Sequence, residues 1–534
     1  MSTSSVSLPL PDAVPPATQD RLWEQRFWLF LTFFWLVRLA MGLLLDLTPD
    51  EAYYWELARR PDWSYFDHPP LVAWMIAAFR HLLGDTPLAV RLPVLITLPI
   101  VCRALYLIGR DALNNPAAGF LGSLLVHLTP AGMALGLITT PDTPLALFWS
   151  LGAVAFLAAL RTDAVSCWVA TGVCLALGAL GKYNMIFFVP AVAVVILAFP
   201  AYRSRLTTGR LWLMVALAAI GTLPILYWNS LHDWASFRFQ FAHGFKPSPK
   251  HILSNIGEFL GGQLGTIGPL LYPVFWWVAL RGLADGWRRS EAGRLFLALL
   301  ALPMMLFFVR RGLSSKVEAN WPQIAYLSLM PLAAEWLLAA QAARRSRLLW
   351  IVGPSALLTL IVALQAMTLI LPLPSRADIS IRLHGWQALG AKVREIDAAT
   401  GHSSLFVGQG GPLTALISFY GNLPPDRIAE VHGKGNWRFW WAGREPASGS
   451  NAVFIDDGRY SEALGFGRAY TSILASETLP VVSRGRLIRT LTFTPLHGYR
   501  GGVRFEMGPT ESRHPGAAGP LPASGKSSRQ EDPN

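Results

Sequence analysis

The sequence predicts a polytopic α-helical membrane protein that carries a small α/β domain at its C-terminal end. Of its 534 residues, 52% are apolar and only 15% are charged, which is typical of membrane proteins. The apolar residues form blocks of helix-spanning length with short polar links between them, up to about residue 375. Beyond that point, short apolar runs alternate with helix-like patterns, which favours a separate α/β domain.

We predict eleven membrane-spanning helices, each near the ~20 residues that cross the hydrocarbon layer. They cover residues 27–45, 87–108, 117–138, 143–160, 165–181, 184–200, 211–228, 264–280, 295–309, 322–341 and 348–371. Residues 69–83 are apolar but short and contain Arg80 and His81, so we predict an interfacial or re-entrant helix there.

The two ends of the chain have a different composition. Residues 1–20 are rich in Ser and Pro, and residues 508–534 are rich in Gly, Pro and Ser. Neither end can bury an apolar core, so both are predicted to be disordered. The membrane domain is then predicted at 21–375 and the α/β domain at 376–507.

The orientation follows from the distribution of arginine. Alternate links are rich in it, as in Arg203, Arg205 and Arg210, and the positive-inside rule makes those links cytoplasmic. The N-terminus is then cytoplasmic, whereas the other links and residues 376–507 lie outside. These arginines account for much of the +12 net charge, and no motif for a nucleic-acid partner is present.

The tripeptide Thr-Pro-Asp occurs twice on the predicted outer face, at 48–50 and 140–142. Thr48 and Glu51 match a capping box with Pro49 at the first helical position. The cap explains Thr48 and Glu51 but not the second copy of the motif, so we predict a functional role for Asp50. For Asp142, a functional role and capping of the next helix both remain open.

Several cations lie on the predicted outer face, against the positive-inside pattern. Lys182 stands almost alone in an outer turn, while Arg310, Arg311 and Lys316 follow a later span. Cations retained there suggest an anionic partner such as a lipid phosphate or a phosphosugar. For the two arginines, lipid headgroups or acids of the outer domain are equal alternatives.

The first outer loop adds a histidine and aromatic residues. His68, Asp67 and Glu51 could bind a divalent metal, but no zinc-type spacing is present, and a fixed Asp-His-Pro-Pro turn is the more ordinary interpretation. The aromatic residues are most simply membrane-interface side chains, some of which could stack on a sugar; they are Tyr53, Tyr54, Trp55, Trp63 and Tyr65.

Five motifs occur in order along the chain, as Thr48-Pro-Asp-Glu-Ala-Tyr-Tyr-Trp55, Tyr65-Phe-Asp-His-Pro-Pro-Leu71, Thr140-Pro-Asp-Thr-Pro144, Gly181-Lys-Tyr183 and Lys316-Val-Glu-Ala-Asn-Trp-Pro322. They resemble those of the PMT-type GT-C glycosyltransferases, and the first two are most similar to those of the lipopolysaccharide galacturonosyl transferases. The lipid A aminoarabinose transferases belong to the same group. The resemblance covers residues 25–375.

The resemblance implies a GT-C fold and inverting transfer of a sugar from a polyprenyl-phosphate donor to a lipid or glycan acceptor. The enzyme would lie in the bacterial inner membrane with its active site and C-terminal domain in the periplasm. Asp50 would be the catalytic base and Asp142 its partner, and the expected substrate-binding residues are Glu51, Tyr54, His68, Lys182, Lys316 and Glu318. A divalent metal remains an open cofactor. The alternative is a transporter or flippase of lipid-linked glycans.

Overall fold

A computed structural model of the chain describes residues 16–245, 251–339, 344–375, 377–431, 435–442, 444–457 and 463–502. The chain is mostly helical up to residue 368, and a small sheet domain follows, so the predicted fold class is confirmed. The predictions of disorder for 1–20 and 508–534 fall mainly outside the described residues, and the first helix begins at Pro16.

The helices before the sheet domain are α1 (Pro16–Leu44), α2 (Pro49–Ala58), α3 (Leu71–Leu83), α4 (Pro87–Leu107), α5 (Pro116–His127), α6 (Pro130–Leu135), α7 (Asp142–Thr162), α8 (Val165–Gly181), α9 (Phe188–Ala198), α10 (Pro200–Arg203), α11 (Gly209–Ile220), α12 (Leu223–Leu231), α13 (Ala235–Phe245), α14 (Ile252–Ile267), α15 (Leu271–Arg288), α16 (Ala292–Gly312), α17 (Gln323–Leu338), α18 (Arg344–Arg347) and α19 (Gly353–Thr368). Short π or 3-10 turns extend or join some of them, at Ile108–Ala112, Tyr183–Phe187, Ser204–Thr207 and Leu348–Val352.

Each of the eleven predicted spans corresponds to a helix or a helix pair. Among the described residues, six helical segments are long and apolar enough to cross a membrane, or eight if each of two sharply bent pairs is one span. The bent pairs lie within 183–207 and 252–288. The other three predicted spans coincide with the shorter apolar helices α5, α8 and α17. By length and composition alone, six to eight of the eleven predicted spans are therefore able to cross a membrane.

The C-terminal domain is an α/β sandwich of one mixed sheet and its helices. Its helices are α20 (Trp386–Ala399), α21 (Gly411–Gly421) and α22 (Trp437–Trp440), its 3-10 turns are Ile379–Leu383, Pro425–Arg427 and Ala463–Arg468, and its strands are β1 (Leu405–Gly408), β2 (Ile428–Glu430), β3 (Ala452–Asp456), β4 (Tyr470–Ile473), β5 (Glu477–Ser483) and β6 (Arg486–Tyr499). The strand order is β2-β1-β3-β6-β4, with β5 also paired to β6. Strands β1, β2 and β3 run parallel, and β6 is antiparallel to β3.

The first loop and the C-terminal domain share one hydrophobic core, since residues of α2 and α3 pack with residues of α20, α21 and the sheet. Tyr53, Trp55 and Tyr65 belong to this core, and Tyr54 is also buried. Our interpretation of these four aromatic residues as membrane-interface side chains is therefore wrong, because their rings pack against the protein; Trp63 is exposed. This shared core holds the first loop beneath the C-terminal domain.

Candidate active site

The first Thr-Pro-Asp motif begins helix α2, as the capping box predicts. The Thr48 hydroxyl accepts a hydrogen bond from the Glu51 backbone N–H, and the Glu51 carboxylate accepts one from the Thr48 backbone N–H. Pro49 occupies the first turn, where its missing N–H leaves no bond unmet. The cap fixes the first turn of α2, which contains Asp50.

Glu51 is fully buried and is bound by Arg91 of α4. The Arg91 guanidinium donates to both carboxylate oxygens at 2.9 Å, and it also donates to backbone carbonyls at the end of α1. The Thr139 backbone N–H lies 3.4 Å from Glu51 Oε1. Glu51 therefore joins the first motif to the residue just before the second, and the structure does not present its carboxylate to a substrate.

The second motif places Asp142 in an ion pair. Asp142 is the first residue of α7, and its buried carboxylate lies 2.8 Å from Nζ of Lys182 and accepts a 3.3 Å hydrogen bond from the Asn320 amide. It makes no side-chain cap to its own helix, whose capping residue is Pro141. The alternative that Asp142 serves to cap α7 is therefore wrong. Lys182, at the end of α8, is brought to the aspartate that the sequence singled out.

Tyr54 and His68 lie within electrostatic reach of both aspartates. The Tyr54 hydroxyl is 3.3 Å from His68 Nε2. Burial raises the pKa of Tyr54, and the charges of Asp50 and Asp142 raise it further. Burial lowers the pKa of His68, although the neighbouring carboxylates oppose this and Lys182 reinforces it. A neutral imidazole and a neutral phenol thus face a charged group of residues from both motifs.

Asp67 precedes His68 and is anchored by the C-terminal domain. Its Oδ2 accepts a 2.7 Å hydrogen bond from Tyr53, and its Oδ1 accepts a 2.9 Å bond from the side-chain amide of Asn436. The oxygen of the Asn436 amide accepts a 2.8 Å bond from the Phe66 backbone N–H. The predicted fixed Asp-His-Pro-Pro turn is therefore held from outside the membrane domain.

Asp50 points to the more open side of the site. Its Oδ2 lies 2.8 Å from Nη2 of Arg382, which lies between α19 and α20. Both side chains are about half exposed, 46% for Asp50 and 42% for Arg382. Among the described residues no hydrogen bond reaches Asp50 Oδ1. This oxygen can therefore accept a further hydrogen bond.

Lys316 and Glu318 are not drawn into the group around Asp142. They pair with each other at 2.7 Å and are mostly exposed. Of the same motif, Asn320 is the residue that bonds Asp142. Nor does Glu51 join Asp67 and His68 as a metal ligand, since Arg91 holds its carboxylate. Within the described part of the chain, no three His, Cys, Asp or Glu side chains converge as a metal site.

Four residues of this site escaped the sequence analysis. Arg91 carried a usable signal, because an arginine four residues into an apolar span needs a buried partner. Asn320 lies within a motif that the sequence analysis quoted for its lysine and glutamate. No local pattern in the sequence indicates that Arg382 or Asn436 belongs to the site, since their partners lie more than 300 residues away along the chain.

Comparison with known proteins agrees with this architecture. The family model described as dolichyl-phosphate-mannose-protein mannosyltransferase matches residues 67–228. The crystal structure of ArnT from Cupriavidus metallidurans bound to undecaprenyl phosphate superimposes with a TM-score of 0.62 at 17% identity, covering 88% of this chain and 98% of that one. Its apo form gives a TM-score of 0.60 at 18% identity and covers 90% and 98% of the two chains. The two chains share a fold.

Two curated relatives match part of the sequence. Lipid A galacturonosyltransferase RgtD from Rhizobium johnstonii is 28% identical over 298 residues, 55% of this chain and 61% of that protein. Undecaprenyl phosphate-alpha-4-amino-4-deoxy-L-arabinose arabinosyl transferase 1 from Sodalis glossinidius is 27% identical over 319 residues, 54% and 55% of the two chains. The chain thus spans somewhat more than half the length of these relatives. The family match over residues 67–228, the partial relatives and the shared fold agree with the resemblance to the PMT-type GT-C glycosyltransferases that the motifs predict.

Proposed function

We propose that this protein is a membrane glycosyltransferase that moves a sugar from a polyprenyl-phosphate donor to a hydroxyl of a lipid or glycan acceptor, with inversion at the anomeric carbon. The convergence of Asp50, Asp142, Lys182 and His68 beneath the C-terminal domain is the observation that carries the proposal. Such a transfer needs a carboxylate to accept the proton of the attacking hydroxyl and cations to stabilise the leaving phosphate.

We assign the base role to Asp50 because Oδ1 of this carboxylate has no partner among the described residues, whereas Asp142 is buried and bound. The acceptor oxygen would attack the anomeric carbon as its proton passes to Asp50. The bond between that carbon and the donor's phosphate oxygen would break, and the phosphate would leave with the electron pair. The new bond between the acceptor oxygen and the anomeric carbon thus forms on the face opposite the departing phosphate.

Lys182 is proposed to stabilise the leaving phosphate, with Asp142 and Asn320 fixing the position of its ammonium group. Neutral His68, hydrogen-bonded to Tyr54, would add a donor or acceptor beside it. Lys316 and Glu318 stay proposed as substrate contacts from the exposed edge, because they are accessible in a loop adjoining the Asp142 group. Glu51 is better assigned as the residue that holds the two Thr-Pro-Asp motifs together.

The names of the relatives narrow the substrates to test. One relative is a lipid A galacturonosyltransferase and another takes its sugar from undecaprenyl phosphate. We therefore propose a polyprenyl-phosphate sugar as donor and lipid A or lipopolysaccharide core as acceptor. We also propose a location in the inner membrane, with the site and the C-terminal domain on the periplasmic face, as the arginine distribution predicts.

The test is a transfer assay with purified protein in detergent. Undecaprenyl-phosphate galacturonate, aminoarabinose and mannose would each be supplied with lipid A or a core oligosaccharide, and the product detected by mass spectrometry. Asp50→Asn should lower the rate by about 10²–10⁴-fold, as expected for loss of a general base. The matched control is Asp233→Asn, which removes an exposed aspartate that also pairs with an arginine, Arg238. Full activity in Asp50→Asn would overturn the base assignment.

A further inference from the structure

The contact between Arg382 and Asp50 has a feature that an ordinary structural ion pair lacks. Both side chains are close to half exposed, yet one partner belongs to α2 and the other to the 3-10 turn Ile379–Leu383 of the C-terminal domain. The buried pair of Arg91 and Glu51 is different, because that arginine also binds three backbone carbonyls. The Arg382 side chain makes one hydrogen bond among the described residues.

The backbone that carries Arg382 is firmly held. The Asp46 backbone N–H donates to the Leu383 carbonyl at 3.1 Å, and the Asp46 carboxylate accepts a 2.9 Å bond from the Trp386 backbone N–H. The Trp386 indole N–H donates to the Arg382 carbonyl at 2.8 Å. The Arg489 guanidinium lies over the Trp386 ring. Only the long side chain of Arg382 is therefore free to change partners.

A guanidinium in this setting suits a phosphate. It is planar, remains charged and offers several N–H donors, which match two phosphate oxygens at once. An exposed pair with one carboxylate oxygen is weak, so a better anionic partner can replace it. Lys182 is paired with the buried Asp142, whereas Arg382 is paired with the proposed base itself.

We propose that Arg382 binds a phosphate group of the incoming substrate and releases Asp50 in doing so. This proposal rests on the proposed function, because it assigns Asp50 as the base. Before binding, Arg382 occupies Oδ2 of Asp50. Once the guanidinium turns to the phosphate, both carboxylate oxygens are available to the acceptor hydroxyl. Oδ2 of the base is then released only when a phosphate-bearing substrate is present, which makes Arg382 a positioning residue.

The phosphate has two possible sources, the polyprenyl-phosphate donor or a phosphate on the acceptor lipid. A binding experiment separates them, with undecaprenyl phosphate in one arm and bis-phosphorylated lipid A in the other. The wild-type protein, Arg382→Gln, Arg382→Lys and Arg484→Gln would be compared in detergent micelles. Arg484 is a matched control, since it is an exposed arginine in the turn between β5 and β6.

We expect Arg382→Gln to weaken binding in one arm by about tenfold or more, the loss typical of a charge-assisted hydrogen bond. Arg382→Lys should restore part of the affinity and Arg484→Gln should match the wild type. The arm that responds identifies the source of the phosphate. Unchanged binding in both arms, or an equal loss in Arg484→Gln, would overturn the proposal.

A kinetic readout distinguishes positioning from folding. In the transfer assay, Arg382→Gln should raise the KM for the identified substrate more than it lowers kcat, and its melting temperature should match the wild type. If the melting temperature of Arg382→Gln falls together with its affinity, the residue has a structural role and the proposal is contradicted. If the wild type transfers no sugar, the proposed function fails, but the binding arms still decide whether Arg382 is a phosphate site.

Discussion

Nζ of Lys182 lies 2.8 Å from Oδ1 of Asp142, so the end of one helix is joined to the beginning of another by a largely buried ion pair. The two residues are 40 positions apart, and each begins or ends a segment that the sequence analysis identified separately. Their pairing has a consequence for folding as well as for catalysis. A buried charge without its partner is more costly than the loss of both charges.

We expect Asp142→Asn and Lys182→Gln each to destabilise the protein by roughly 3–5 kcal/mol, the usual cost of breaking a buried pair. The double variant should lose less stability than the two single variants added together, because it leaves no unpaired charge. Thermal unfolding of the three variants in one detergent measures this coupling. Additive losses would contradict a direct pair.

The exposed pair of Lys316 and Glu318 is the matched comparison for these variants of the buried pair. Both side chains are more than half exposed, and pairs of this kind contribute about 0–1 kcal/mol. Lys316→Gln should therefore leave the melting temperature nearly unchanged. If Lys316 contacts the substrate as proposed, the variant should still show a raised KM for the donor.

Glu51→Gln should be far more damaging to the fold than Asp50→Asn, although the two residues are adjacent. Glu51 neutralises the fully buried Arg91, and removing that charge should cost roughly 3–5 kcal/mol. Asp50 is about half exposed, so its amide variant should fold like the wild type and lose activity instead. Expression yield, melting temperature and transfer rate measured together separate the two effects. Equal melting temperatures in the two variants would contradict the structural role of Glu51.

His68 should make stability depend on pH. Burial lowers its pKa below the ordinary value of 6.5, so below that pH the unfolded chain binds a proton more readily than the folded protein. Stability should therefore fall as the pH drops through 6.5 and be fully present above it. His68→Gln removes the group and should flatten this fall. The measurement is the melting temperature at about pH 8 and about pH 5.5.

His81 supplies the control for that experiment, because it is an exposed histidine near the end of α3. His81→Gln should keep the pH dependence of the wild type. If the pH dependence is unchanged in His68→Gln, other groups cause it. The charged residues that act on the His68 ring are Asp50, Asp67, Asp142 and Lys182.

The sequence predicted most of the local structure but few of the contacts within the site. The capping box at Thr48 and the helices after each Thr-Pro-Asp motif follow from short-range patterns, since a cap involves residues only three apart. Hydrophobic blocks likewise predict helices. The bond from Asn436 to Tyr53 spans 383 residues, and only tertiary packing brings such groups together. The aromatic residues of α2 were misjudged for the same reason, because their partners lie in the C-terminal domain.

Asn436 provides the last prediction, because it connects that domain to the Asp-His-Pro-Pro turn. Its buried amide bonds Tyr53, Asp67 and the Phe66 backbone, so Asn436→Leu would leave several buried polar groups without partners. We expect a destabilisation of about 3 kcal/mol, since each such group costs roughly 1–3 kcal/mol. Transfer activity should also fall at temperatures where the protein stays folded, because Asp67 and His68 lose their support. Asn451→Ala, which removes a single bond to the Gly498 backbone in the same domain, is the control and should retain full activity. An Asn436→Leu protein that is less stable but fully active would mean that the C-terminal domain stabilises the first loop without shaping the site.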